Sequence, residues 1–234
     1  MKVRVKFSKH GALKFIGHLD IMRYFQKAFR RSGIDIAYSG GFSPHQIMSF
    51  AAPLGVGLES DGEYLDVELN SLCSTEEMKE KLNEQMAEGM EVLSVVVLPE
   101  KSGSAMAAVA AAGYYVVFRN ACEPPQGWQS AIDQFLSNEK IIVKKQTKKS
   151  IMEIDLKPAI YDFRLSSYQE KDCLYLMVNA SSSGNIKPAM VIEALCSELE
   201  LPFDAGWLMV TREDTYLNKG TESEPAFAPM DAVP

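Results

Sequence analysis

Hydrophobic and polar positions alternate at the start of the chain. Val3, Val5 and Phe7 are interleaved with Arg4 and Lys6, the period-two pattern of a half-buried strand. Residues 9–12 read as a turn. Over 19–32 the period lengthens: Met22, Phe25 and Phe29 fall on one helical face with Leu19 above them, and Arg23, Lys27, Arg30 and Arg31 form a basic flank. Gly33 is placed to cap that helix. Residues 34–38 alternate again, 39–44 make a Gly-rich loop, 45–52 resume a strand and 64–69 add another. Ser74 or Thr75 caps a helix over 74–88, and 92–98 is an apolar strand ended by Pro99. The order is β-α-β-β-α-β, the split βαβ or ferredoxin-like pattern.

The second half repeats that order without repeating the sequence. Residues 114–119 read as a strand, Pro124-Pro125 opens a helix to about 137, and 140–145 is a strand. An extra extended piece over 151–156 precedes a hairpin of 160–166 and 174–179. A helix over 187–199 carries Pro188 in its first turn, and 207–216 is a last strand. The expected fold is therefore α+β: two tandem ferredoxin-like (βαββαβ) units with antiparallel sheets, over 1–98 and 114–217. A linker over 99–113 joins them, and 218–234, rich in Pro, Glu and Ala, is expected to be a disordered tail.

The chain has 234 residues, 47% hydrophobic and 24% charged, which excludes disorder over most of its length. No apolar run is long enough to cross a bilayer, and the N-terminus lacks a signal peptide's apolar block. Cys73, Cys122, Cys173 and Cys196 lie far apart with no C-x-x-C pair, so neither structural zinc nor a disulfide framework is expected, and a reducing cytoplasm fits. The net charge of −7 hides an asymmetry: residues 1–33 carry nine Lys or Arg and one acid, Asp20. Either this region is an anion-binding surface or the acidic remainder neutralises it in the fold. A second basic cluster contains Lys140, Lys144, Lys145, Lys148 and Lys149.

The candidate chemistry concentrates near the N-terminus. His10, His18 and His45 all lie there. His18 reads either as a hydrogen-bonded histidine at a helix start or as a base or anion ligand. The histidines show no metal-ligand spacing. Gly40-Gly41 opens backbone geometry closed to other residues, Ser39 and Gly41 can present amides to an anion, and Phe42 beside them can stack on a base or pack in the core. No phosphate-binding loop of the usual Gly-rich types is present. Glu59, Asp61, Glu63 and Asp66 read either as acid–base carboxylates or as an exposed strand edge.

Lys6-Phe7, Phe15-Ile16-Gly17-His18-Leu19-Asp20, Arg30-Arg31-Ser32-Gly33, Tyr38-Ser39-Gly40-Gly41-Phe42-Ser43-Pro44-His45, Pro53-Leu54-Gly55-Val56-Gly57 and Asp155-Leu156-Lys157-Pro158 together resemble the radical SAM-linked family. That domain of unknown function is encoded beside, or fused to, a radical SAM protein. The chain lacks the cysteine triplet of an iron–sulfur site, so it resembles the stand-alone accessory form. The resemblance implies a radical SAM partner and marks His18, Asp20, Arg23, Arg30, Arg31, Ser39, Gly41, Phe42, Pro44 and His45.

The leading expectation is an RNA-binding accessory protein without a cofactor of its own, acting on neither DNA nor membranes. Arg23, Lys27, Arg30, Arg31, Lys144 and Lys145 contact phosphates, and Phe42 stacks on a base. The alternatives are a metal-free endoribonuclease using His18 or His45 as base, and a module that docks on the radical SAM partner alone.

Overall fold

The computed structural model describes residues 1–119, 127–146 and 151–232. They fold as α+β with mostly antiparallel strands, in two compact units: Met1–Ala110 with Arg212–Pro234, and Ala111–Thr211. The strand after residue 207, which the sequence assigns to the second unit, contributes its residues from Arg212 onward to the first.

The first unit runs β1 (Lys2–Lys9), α1 (His18–Ser32), β2 (Met48–Phe50), β3 (Glu59–Glu68), α2 (Thr75–Asn83), β4 (Met90–Val97) and a single turn, α3 (Ala105–Ala108). β1 pairs antiparallel with both β3 and β4, and β2 pairs with β3. Val3, Val5 and Phe7 of β1 and Leu65 and Val67 of β3 pack against Phe25 and Phe29 of α1 and Met78 and Leu82 of α2. The buried face of α1 is Ile21, Phe25, Ala28 and Phe29. Leu19, expected above that face, is 65% exposed, because the stripe runs through Ile21 instead. Gly33 caps α1 at φ 67°, in the left-handed conformation that glycine adopts at little cost. Ser74 Oγ caps α2 by accepting from Glu77 N at 3.1 Å.

Residues 34–38, expected as a strand, make two isolated bridges, Ile36 to Leu69 and Tyr38 to Gln46. Residues 9–12, expected as a turn, lead into a 3-10 helix over Gly11–Phe15.

The second unit contains β5 (Ala111–Phe118), α4 (Trp128–Ser137), β6 (Ile142–Gln146), β7 (Ile151–Asp155), β8 (Ile160–Tyr168), β9 (Lys171–Asn179) and α5 (Pro188–Glu198). β5, β9 and β8 lie side by side, antiparallel, while β6 and β7 form a separate two-stranded ribbon. Gln169 and Glu170, both at positive φ, turn the β8–β9 hairpin with a twist that matches its strands. The expected Pro124-Pro125 helix start and Lys148 and Lys149 lie outside the described residues.

β10 (Leu208–Asn218) is followed by β11 (Phe227–Pro229), which pairs back on it. This corrects the expected disordered tail: Met230 is 0% exposed, and its neighbours are held by polar contacts to the sheet. β3 neighbours β10 in the sheet. A Cβ on Gly62 would lie 2.7 Å from Asp214 Oδ1, so the two strands approach closely only with glycine there.

Candidate functional site

Much of the basic N-terminal region is neutralised within the first unit. The Arg4 guanidinium grips Asp66 at 2.7 and 3.0 Å and donates to the Met230 carbonyl at 2.8 Å. Lys2 Nζ lies 3.3 Å from Asp66, Lys6 Nζ 2.6 Å from Asp214, and Lys14 Nζ 2.9 Å from Glu59. The register explains this match, since Arg4 stands opposite Asp66 and Lys6 opposite Tyr64. The Tyr64 hydroxyl lies 2.7 Å from Asp214 Oδ1 and 3.1 Å from Asp231 Oδ1, and Ser94 Oγ donates to Asp231 at 2.8 Å. Burial, then Asp214 and Asp231, push the Tyr64 hydroxyl's pKa up, and burial raises the Asp214 carboxyl above its ordinary range. The acidic stretch is thus no exposed edge at Glu63 and Asp66, which are 5% and 2% exposed.

A second group lies where the core-facing stripe of two strands ends. Val3, Val5 and Phe7 are followed on the same parity by Lys9, and Leu65 and Val67 are preceded by Glu63. Phe7 pairs opposite Glu63. With Ile16, His18, Ile21, Phe50, Pro53 and Leu54, these residues line a cleft of about 20 Å³. Glu63 is held by Arg212 Nη1 at 2.8 and 3.1 Å, and Arg212 also donates to the Ala52 carbonyl at 2.8 Å. Burial raises the Glu63 carboxyl above its ordinary value, against the pull of Arg212. Burial lowers the Lys9 ammonium, against Glu63, and burial lowers the His18 imidazole. His18 packs edge-on to Phe50 at 5.0 Å.

The other marked residues lie on exposed surface. Asp20 accepts from Arg23 Nη1 at 3.0 Å across one turn of α1. Arg31 reaches α2's end, donating to Gln85 Oε1 and to the Gln85 carbonyl, both at 3.1 Å. Lys27 and Arg30 are exposed and make no ion pair among the described residues. In the 39–45 loop, Ser39 Oγ is 2.9 Å from His45 Nδ1 and accepts from His45 N at 3.1 Å. Gly41 takes φ 98°, Pro44 is exposed, and Phe42 at the tip is fully exposed, not packed in the core. His18 and His45 share no hydrogen-bond partner among the described residues.

In the second unit, Lys140 and Lys144 line a groove of about 410 Å³ with Phe135, Met190 and Glu193. Lys145 lies on β6, and its side chain is outside the described residues. Asp155 and Lys157 are structural. Asp155 Oδ1 accepts from Ile141 N at 2.9 Å and Lys157 N at 3.0 Å, and Lys157 Nζ donates to the Leu136 carbonyl at the end of α4. The Ile141 amide holds the Asp155 carboxyl below its ordinary pKa of 3.8. Asp155→Ala is therefore expected to melt below wild type at pH 7. A depressed carboxyl stabilises above its unfolded pKa and loses that contribution as pH falls through the folded value, so the gap should narrow in melts carried progressively below pH 3.8.

A family model described as "Uncharacterized protein conserved in bacteria (DUF2344)" matches residues 2–188. The chain belongs to this family. No curated protein matches it. Among solved structures, a chain of the "Crystal Structure of a Cbf5-Nop10-Gar1 Complex" is similar with a TM-score of 0.48 and 9% identity, over 91% of this chain and 48% of that one. The chain thus spans about half the length of the solved chain it matches. Among the described residues no helix is long and apolar enough to cross a membrane, and no cluster of His, Cys, Asp and Glu fits a metal ion.

Lys9 and Arg212 are site residues that sequence reasoning missed, and Glu63 was read only as one member of an acidic stretch. The signal was present, because a lysine and a glutamate continue the core-facing alternation of two strands.

Proposed function

We propose that the protein is an RNA-binding accessory protein, built of two tandem ferredoxin-like units, that works in the cytoplasm beside a radical SAM enzyme in RNA modification or processing. One observation carries the RNA reading. Phe42 stands fully exposed at the tip of a loop braced by Ser39 and His45. An apolar ring held out in water is a stacking platform awaiting a flat partner. Lys27 and Arg30 add exposed cations on α1 that no acid among the described residues claims. The radical SAM partner rests on the motif resemblance. The ferredoxin-like reading is supported by the order β4, β1, β3, with β2 also on β3, in the first unit.

Fluorescence anisotropy with short single-stranded RNA over a salt series tests it. Wild-type binding should weaken steeply with salt. Phe42→Ala should weaken binding roughly tenfold with the salt slope unchanged, since stacking is worth about 1–3 kcal/mol per base. Lys27→Glu with Arg30→Glu should flatten the slope, at about 0.7 per lost phosphate contact. Binding that ignores both salt and Phe42 rejects the reading. Recovery of the radical SAM protein from nuclease-treated extract, with no RNA bound, would mark a docking module instead. RNA cleavage lost in His18→Ala and His45→Ala would mark a ribonuclease.

A further inference from the structure

Lys9 and Glu63 line the cleft at the start of α1, and a second buried cation, Arg212, holds Glu63. Lys9 is 2% exposed and Arg212 6%. Arg212 takes both oxygens of Glu63, whereas the Lys9 ammonium has neither a hydrogen bond nor an ion pair among the described residues. Glu63 is the one carboxylate beside two buried cations, and a surplus buried positive charge is unfavourable unless something neutralises it. Lys9 lines the cleft together with His18, the first residue of α1. That helix is 15 residues long, and its N-cap, Gly17, brings no side chain to accept from the opening amides. The positive end of the helix and the lysine thus meet at one opening.

We propose that this cleft is an oxyanion site, in which the Lys9 ammonium and the first amides of α1 hold one oxygen of a phosphate or carboxylate, with the His18 ring beside it. A volume of about 20 Å³ admits one water-sized atom, so the group enters by a single oxygen and its remainder stays outside. Ile16, Ile21, Phe50 and Leu54 line the same cleft and strengthen the interaction by excluding water. Glu63 does not cancel the site, because Arg212 already neutralises it. The site does not depend on the RNA reading, which rests on Phe42, Lys27 and Arg30. The oxygen can come from a free small anion or from an RNA phosphate.

The test uses the full chain with inorganic phosphate, acetate and a short single-stranded RNA as probes. Calorimetry measures affinity, and the His18 ring signals in NMR report the site. Phosphate or acetate should bind saturably and move the His18 signals, and Lys9→Met should weaken that binding about tenfold or more, the scale of one lost charge-assisted hydrogen bond. Should Lys9→Met fail to fold, the His18 response of the wild type to phosphate still decides. If RNA alone moves the His18 signals, and Lys9→Met removes that response, the oxygen comes from the polymer. If phosphate binds while RNA does not, the site stands and the RNA reading falls. His18 signals unmoved by all three probes, or phosphate binding unchanged in a folded Lys9→Met, would overturn the proposal.

Discussion

Replacing Glu63 by Gln should lower stability by about 3 kcal/mol or more, the usual cost of breaking a buried ion pair from one side. The substitution nearly preserves shape but leaves Arg212 and Lys9 as buried cations with no anion between them. Lys9→Met, which deletes an unpaired buried charge, should sit at or above wild-type stability for the same reason. The double variant should therefore recover part of the Glu63→Gln loss. Urea unfolding checks this: the midpoint should move with the slope unchanged. A wild-type midpoint for Glu63→Gln would mean that burial already keeps the carboxyl protonated in the native protein, and the charge argument would fail.

Ending the chain after Asn218 should cost about as much or more. Met230 is fully buried, and emptying such a site costs about 2–5 kcal/mol. Arg4 would lose the Met230 carbonyl, and Ser94 would lose Asp231, each adding about 1–3 kcal/mol where the group stays dry. Against a typical domain stability of about 5–15 kcal/mol, such a loss would leave the first unit barely folded. Hydrogen exchange in β1 and β3 should rise steeply in the truncated chain, while Met230→Ala should show a smaller effect of the same kind. Unchanged protection in β1 would show that residues 219–234 are dispensable.

The sequence pattern places nearly every helix and strand within a few residues, because alternation in β1 and helical spacing in α1 are signals of burial. It places Phe25 and Phe29 of α1 in the core and Met22 at its margin, but extends the face to Leu19 where the packed sheet takes Ile21. Residues 34–38 alternate like a strand, yet lack a continuous partner there and make only bridges. The tail misleads by composition. Its Pro, Glu and Ala content looks disordered, while its order comes from polar contacts with β1, β3 and β4 that no local pattern encodes.

The candidate site was legible in part. Phe42 and the α1 cations stand out in sequence because unusual residues sit together. Asp155-Leu156-Lys157-Pro158 stands out equally, but the structure gives Asp155 two backbone amides to cap and Lys157 a helix-end carbonyl, so its role is architectural. Lys9 is hidden because a strand pattern reads as ended where its apolar residues stop, and Glu63 stands among Glu59, Asp61 and Asp66 with nothing in the sequence to set it apart.

The first unit is assembled from two stretches of chain separated by about a hundred residues, and this sets an order of events during synthesis. Chains emerge from the ribosome N-terminus first, at roughly 5–20 residues per second. Residues 111–211 are contiguous and can close as soon as they are clear of the exit tunnel. The 1–110 stretch waits several seconds longer for Arg212, Asp214 and Met230, holding Arg4, Glu63 and Tyr64 without their final partners. Residues 1–110 are thus made before the second unit yet secured after it, and that interval is when a chaperone has most to protect.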